Sequence, residues 1–308
     1  MRLNTLKLCI ILYLGFLLTS LGLLMVAAED TVNIYVHHIN HPEEWKGKTF
    51  KMDGGTYWVG EIHIQYGGTS PSSGTHTRAY CIEYDVILYA GCSYTYTITD
   101  AEDTQAWRSI AYVLSWHDPP STDEEAAAVQ GAIWKILTGY DPSGEGNDLA
   151  TEAQGKDVIR STDTFEWLTP EKYVGPGEEV TLIAKITKQD GSGRSGVRVK
   201  FTTTAGVLHN DEGITDANGE VSVTLTAPSE MGTVVEVTAY TRGVWPKKYL
   251  RNGETQDLIG LGDKLELTST TEIPIIAYIH VIPEMPFGTL VAVATFFFAY
   301  IVKSKLKA

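Results

Sequence analysis

Between Tyr173 and about Thr271 the apolar side chains fall on alternate positions. Val180, Leu182, Ala184 and Ile186 alternate with Thr181, Ile183, Lys185 and Thr187, and Val197, Val199 and Phe201 with Arg198 and Lys200. Val221, Val223 and Leu225 then alternate with Ser222 and Thr224, and Val235, Val237 and Ala239 with Glu236 and Thr238. Period two is the signature of half-buried strands. Asp190-Gly191-Ser192-Gly193 and Asn218-Gly219 supply turns, since Gly and Asn accept positive φ, and Asp216 to Glu220 reads as a hairpin turn rather than a calcium loop. The pattern predicts an antiparallel β-sandwich over 170–272.

From Thr31 to about Trp167 the pattern is mixed, with strand-like runs and two helical stretches, so 29–169 is expected to be an α+β domain. One helix is predicted near Thr104 to Trp116, with Trp107, Ile110, Ala111 and Leu114 on one face. The other begins after Pro120, where Thr122 and Glu125 have capping-box spacing, and stops at Gly139. Ala126, Val129, Ile133, Trp134 and Leu137 share its apolar face, and Gln130 lies among them.

Both ends of the chain are apolar. Leu8 to Val26 follows Arg2 and Lys7 and precedes the small-residue site Val26-Ala27-Ala28, which predicts a secretory signal over 1–28, with an uncleaved signal anchor as the alternative. Gly288 to Val302 precedes Lys303, Lys305 and Lys307, which the positive-inside rule keeps in the cytoplasm. That run is short for a bilayer span, and 273–308 is expected to be a linker with a transmembrane or sorting segment. Both ends then face inward, and the middle of the chain lies outside the cell.

Charge sharpens this placement. The whole chain of 308 residues carries a formal −14, but residues 29–280 hold 19 Lys and Arg against 37 Asp and Glu, a formal −18. Such a surface repels phosphate backbones, so nucleic acid is excluded as a partner.

Three cysteines occur, and Cys9 leaves with the signal. In an exported chain the remaining pair, Cys81 and Cys92, reads by default as a disulfide. A competing reading starts from Gln130, whose amide points inward among apolar neighbours, where an unpaired amide costs about 1–3 kcal/mol. A buried amide is either satisfied by hydrogen bonds or consumed. If a thiolate attacks its carbonyl and ammonia leaves, the product is an internal thioester. Gly131 beside it lets another backbone approach closely.

The triplet Tyr80-Cys81-Ile82 and the segment Val129-Gln130-Gly131-Ala132-Ile133-Trp134 resemble the two motifs of the thioester domains of Gram-positive surface adhesins. The upstream Gly55 to Ile64 looks like the strand such domains place before the cysteine. The resemblance implies Cys81 as the thiol partner, Gln130 as the acyl partner and transfer of that acyl group to an amine, typically lysine, without a cofactor and without turnover. The expected partner is a surface protein or amine-bearing ligand on another cell or matrix. Tyr80, Trp116 and Trp134 are expected to keep water from the bond.

Val197 to Ala227 resembles the bacterial Ig-like repeats of invasins and intimins, which implies a stalk without chemistry of its own. Val281 to Gly288 resembles the archaeal PEF-CTERM sorting signal, with Pro283, Glu284 and Pro286 at the motif and Met285 replacing Phe. It implies a processing enzyme for the tail and attachment to the cell surface through the C-terminus; a plain single-pass anchor is the alternative.

Three other readings stay open. Cys81 and Gln130 can be core residues of a noncovalent binding or structural envelope protein. A cysteine hydrolase is the second, with His117 the nearest candidate base in sequence, although no protease motif accompanies it. His37, His38 and His41 are close enough to suggest a metal, but they lack cysteines or a HExxH frame, and no metal is expected.

Overall fold

In the computed structural model of the chain, residues 30–37, 45–168, 173–251 and 255–276 are described. The expected signal over 1–28, His38 and His41, and the sorting motif at Pro283, Glu284 and Pro286 lie outside the described residues. Among those described, no helix is long and apolar enough to cross a membrane, and no group of His, Cys, Asp and Glu is placed to hold a metal ion.

The first half of the chain supplies β1 (Thr31–Val36), β2 (Gly47–Met52), β3 (Gly55–Gly60), β4 (Ile62–Tyr66), β5 (Thr75–Cys81) and β6 (Ser93–Asp100). Three helices follow: α1 (Gln105–His117), α2 (Asp123–Thr138) and α3 (Asn147–Glu152). Both long helices sit where the periodicity puts them. Thr104 caps α1 by accepting from the Trp107 N–H, and Thr122 caps α2 by accepting from the Glu125 N–H. The capping box is shifted by one residue, since the Glu125 carboxylate accepts from the backbone N–H of Ser121 at 2.6 Å. Gly139 ends α2 with φ 79°, the left-handed region that glycine enters at little cost.

The expected single strand Gly55 to Ile64 is two strands. The chain breaks at Gly60, where a Cβ would meet the Lys46 carbonyl oxygen at 2.4 Å, so β3 pairs with β2 while β4 joins a different sheet. The β2–β3 hairpin turns at Asp53-Gly54, both with positive φ, and lays Val59 and Phe50 against Ala127 and Trp134 of α2.

The second half forms β7 (Thr164–Trp167), β8 (Glu179–Thr187), β9 (Arg198–Thr203), β10 (Val207–Leu208), β11 (Glu212–Ile214), β12 (Glu220–Thr226), β13 (Val234–Val244), β14 (Lys247–Leu250), β15 (Leu258–Gly260) and β16 (Lys264–Pro274). Two four-stranded antiparallel sheets, β10-β12-β8-β7 and β11-β9-β13-β16, face each other over a core of Leu182, Ile186, Val199, Leu225, Val237 and Ile273, among others. The alternation seen in sequence is the inward face of this sandwich. Asn218-Gly219 is a tight turn in which the Asp216 carboxylate accepts from the N–H groups of Asn218 and Glu220 at 2.8 and 2.9 Å. It is not a hairpin turn, because β11 and β12 belong to opposite sheets.

Two strands in the range expected for the sandwich leave it. After β13 the chain crosses to the first half, forms β14 and β15, and returns as β16. These two strands close a six-stranded barrel of order β1-β4-β5-β15-β14-β6. Tyr249 pairs with Ile98, and Leu258 pairs with Cys81. Ile34, Ile64, Ala79, Tyr96, Tyr249 and Leu258 fill the barrel. β7 departs in the other direction, pairing with β8 although it precedes the expected boundary at Thr169-Pro170. The two halves also meet where the Val244 N–H donates to Ser115 Oγ at 2.7 Å, and where buried Arg194 holds Asp157 at 3.1 Å and Asp163 at 2.9 Å.

Since β14 and β15 cover the edges of β6 and β5, a chain ending at residue 168 leaves both edges unpaired. Such a fragment is expected to lose cooperative unfolding in urea, whereas the chain through residue 276 keeps it. A cooperative transition in the shorter fragment would show that the hairpin is dispensable to the barrel.

Candidate functional site

Cys81 is the last residue of β5 and lies on the barrel-interior side with Ala79. Tyr80, one residue earlier, faces the opposite way. It is fully buried among α1 and α2 residues and donates to Asp118 Oδ1 at 2.8 Å. Burial and the adjacent Asp118 carboxylate push its phenol well above its ordinary pKa, so it stays a neutral donor.

Gln130 projects from α2 onto the end of β5 and is only 1% exposed. Its amide is matched atom for atom by the backbone of Cys81. The Cys81 N–H donates to Gln130 Oε1 at 2.8 Å, and Gln130 Nε2 donates to the Cys81 carbonyl at 2.9 Å. The inward-facing amide inferred from helical spacing is therefore satisfied at the cysteine that the motifs pair it with. Gly131 explains how the helix is seated: a Cβ there would meet Asp141 Oδ2 and the Gly146 nitrogen, each at 2.7 Å. The Asp141 carboxylate accepts from that same Gly146 N–H at 2.8 Å.

The side chain of Cys81 opens onto a cleft of about 330 Å3. Trp45, Tyr57, Trp58, Tyr84 and Trp134 give this cleft aromatic walls, and Glu83 and Asp85 are the carboxylates in its lining. Burial raises the Cys81 thiol well above its usual pKa, and the Glu83 carboxylate adds to the shift, so sulfur holds its proton at neutral pH. Cys81 and Cys92 are not joined by a disulfide, and Cys92 is exposed.

Trp134 packs with Cys81 and lines the cleft. Tyr80 and Trp116 do not. Tyr80 is turned to the helices by strand alternation, and Trp116 sits at the sandwich, with Arg242 4.7 Å from its ring and Tyr240 at 6.5 Å between ring centroids. Neither lines the cleft, which corrects the expectation that they shield the site. His117 lines a separate pocket with Glu125, Glu145 and Glu152, and burial lowers its pKa.

Sequence reasoning missed two features. A polar chain, buried except at the half-buried Arg78, runs from Asp118 through Arg78, at 2.9 Å, to Glu61, at 3.5 Å, and on to His63, at 3.1 Å. Trp45 stacks on His63 with ring centroids 5.7 Å apart, so this chain backs one wall of the cleft. The alternation of Glu61, His63 and Gln65 with Ile62 and Ile64 was its available signal. The second feature is Gln256, 1% exposed, whose Nε2 donates to the Glu83 carbonyl at 2.6 Å and to Glu83 Oε2 at 3.2 Å. Nothing in the sequence ties positions 83 and 256 together.

With Cys81→Ala as background, where no bond to sulfur forms, adding Gln130→Leu leaves the backbone N–H and C=O of position 81 without these partners. Equilibrium denaturation is expected to show a further loss of roughly 1–3 kcal/mol. An unchanged midpoint would mean that the amide contributes nothing to holding α2 on β5.

Residues 78–169 match the family model described as Thioester domain. No curated protein matches the chain. Among solved structures, the chain is similar to the thioester domain of the Enterococcus faecium TIE86 protein, at 14% identity over 82% of this chain and 99% of that one, with a TM-score of 0.34. It is also similar to the Bacillus anthracis TIE protein, at 14% identity over 74% of this chain and 47% of that one, with a TM-score of 0.30. The D0-D1 domain of intimin matches at 25% identity over 33% of this chain and 45% of that one, with a TM-score of 0.21.

Proposed function

We propose that the chain is a cell-surface adhesin that forms an internal thioester between Cys81 and Gln130 and uses it to capture an amine on a target surface covalently. The observation that carries this reading is the reciprocal pair of hydrogen bonds, 2.8 and 2.9 Å, between the Gln130 amide and the Cys81 backbone. They hold the side-chain carbonyl at the residue whose sulfur is to attack it. They also suit the step itself. The Cys81 N–H, already on Gln130 Oε1, is a donor where negative charge develops as the carbonyl carbon becomes tetrahedral. Sulfur joins that carbon, the carbon–nitrogen bond breaks, and the thiol proton leaves with the departing ammonia. The thioester is then opened by one amine and spent, so the protein acts once rather than as an enzyme.

The match of 78–169 to the thioester family supports this chemistry, and the apolar leader and tail with the acidic middle support export and attachment at the cell surface. In this reading the sandwich is a spacer, the C-terminal tail is the anchoring or sorting segment, and the partner is a surface protein or other amine-bearing ligand. The noncovalent alternative has one observation in its favour: the same two hydrogen bonds satisfy the buried amide without any reaction.

Intact mass separates the two. The protein is expected to weigh one ammonia less than its sequence, and Cys81→Ala and Gln130→Ala are each expected to restore the full mass. Cys92→Ser is expected to leave the deficit in place, because Cys92 takes no part in the bond. Full mass in the wild type, with both thiols titratable, would establish the noncovalent clamp.

A further inference from the structure

Within the cleft, the carboxylate of Glu83 has no task in forming the bond. Glu83 follows Cys81 by two residues and lines the same cleft. It is anchored from the β15 side of the barrel. Its Oε2 accepts from Gln256 Nε2 and from the Asp257 N–H, each at 3.2 Å, while Gln256 also holds the Glu83 carbonyl at 2.6 Å. Because Gln256 is buried, this clamp fixes both the backbone and the carboxylate of Glu83 in the cleft that Cys81 also lines. The ionisable groups that face it are Asp257, Asp85 and the Cys81 thiol, and Arg251 lies with it along the adjoining pocket.

An amine that opens a thioester at neutral pH arrives protonated, since a lysine ammonium has an ordinary pKa of about 10.4. It has to lose a proton before its nitrogen can attack. A hydroxyl group or a sugar brings no such charge into the cleft. The acidic pair Glu83 and Asp85, set among the rings of Trp58, Tyr84 and Trp134, favours a cation over a neutral nucleophile. Burial, followed by the nearby Asp257, holds the Glu83 carboxyl above its ordinary pKa, which improves it as a proton acceptor.

Resting on the thioester reading above, we infer that Glu83 is the general base of thioester opening: it receives the cationic amine and takes its proton. The carboxylate removes one proton from the ammonium, and the free nitrogen attacks the acyl carbon contributed by Gln130. The new carbon–nitrogen bond forms and the carbon–sulfur bond breaks. Sulfur leaves as the Cys81 thiolate and takes the second nitrogen proton, which its raised pKa favours, and Glu83 releases the first proton to solvent. The net products are an amide, a thiol and one proton.

The test compares two nucleophiles on the full chain: methylamine, cationic at neutral pH, and hydroxylamine, which is neutral there. Opening is followed by intact mass and expressed per intact bond, so incomplete formation does not distort the rates. Glu83→Gln is expected to slow methylamine about 100-fold and hydroxylamine far less. Equal slowing of both, or of neither, overturns the inference, because a residue that only shapes the cleft does not discriminate by charge. If Glu83→Gln forms no bond, Glu83→Asp is measured in its place. A bond-bearing Glu83→Asp with a shifted preference toward hydroxylamine supports the role, and wild-type preference overturns it. Absence of the bond in both variants overturns it too, since Glu83 is then needed to build the site. A wild type at full mass is a separate result that removes the thioester reading itself.

Discussion

The fold around the site depends on one buried amide. Gln130 is enclosed on the inner face of α2, where an unsatisfied amide is costly, and the backbone of Cys81 meets both of its polar ends. That requirement fixes helix and strand relative to each other within hydrogen-bonding distance. Several neighbouring features serve the same approach. Gly131 leaves room for the Gly146 backbone, Asp141 ties that backbone down, and Val59 and Phe50 of the β2–β3 hairpin pack against Trp134 from the other side. A single substitution at Gln130 therefore acts on the packing of α2 and on the backbone of Cys81 together.

The second dependence is on the far end of the described chain. β15 covers the edge of the strand that carries Cys81, and the residues leading into it, Gln256 and Asp257, grip Glu83. Because β14 and β15 lie between two strands of the sandwich, the barrel and the sandwich are interlocked rather than strung in series. The cleft at Cys81 is thus supported by residues more than 170 positions away in sequence.

The cleft beside Cys81 is aromatic in its walls and acidic at its lining carboxylates. Burial raises the pKa of the Cys81 thiol, aromatic rings line the space beside it, and the carboxylates of Glu83 and Asp85 give the opening a negative character. Trp116, which the sequence suggested as a further shield, instead makes its contacts with the cationic side chains of Arg198, Lys200 and Arg242, at the junction of α1 with the sandwich. Its place at the end of a helix was readable, but what it would meet there was not.

The boundary between what sequence determined and what tertiary structure decided follows from the range of the interactions. Helix α2, its caps at Thr122 and Gly139, and the inward direction of Gln130 depend on contacts within a few residues, and the 3.6-residue period records them directly. The inner face of the sandwich was equally legible, because period two marks which side chains are buried. Period two does not say in which sheet a strand is buried. Lys247–Leu250 and Leu258–Gly260 could therefore read as more sandwich while closing the barrel, Gly55 to Ile64 could read as one strand while serving two sheets, and Asn218-Gly219 could read as a hairpin while joining opposite sheets. The Cys81–Gln130 pair was named by its two local motifs. The hydrogen bonds that align it, and the clamp that sets Glu83 beside it, exist only once strands distant in sequence have paired, since main-chain pairing is set by the whole packed arrangement and leaves no mark on the side chains of either partner alone.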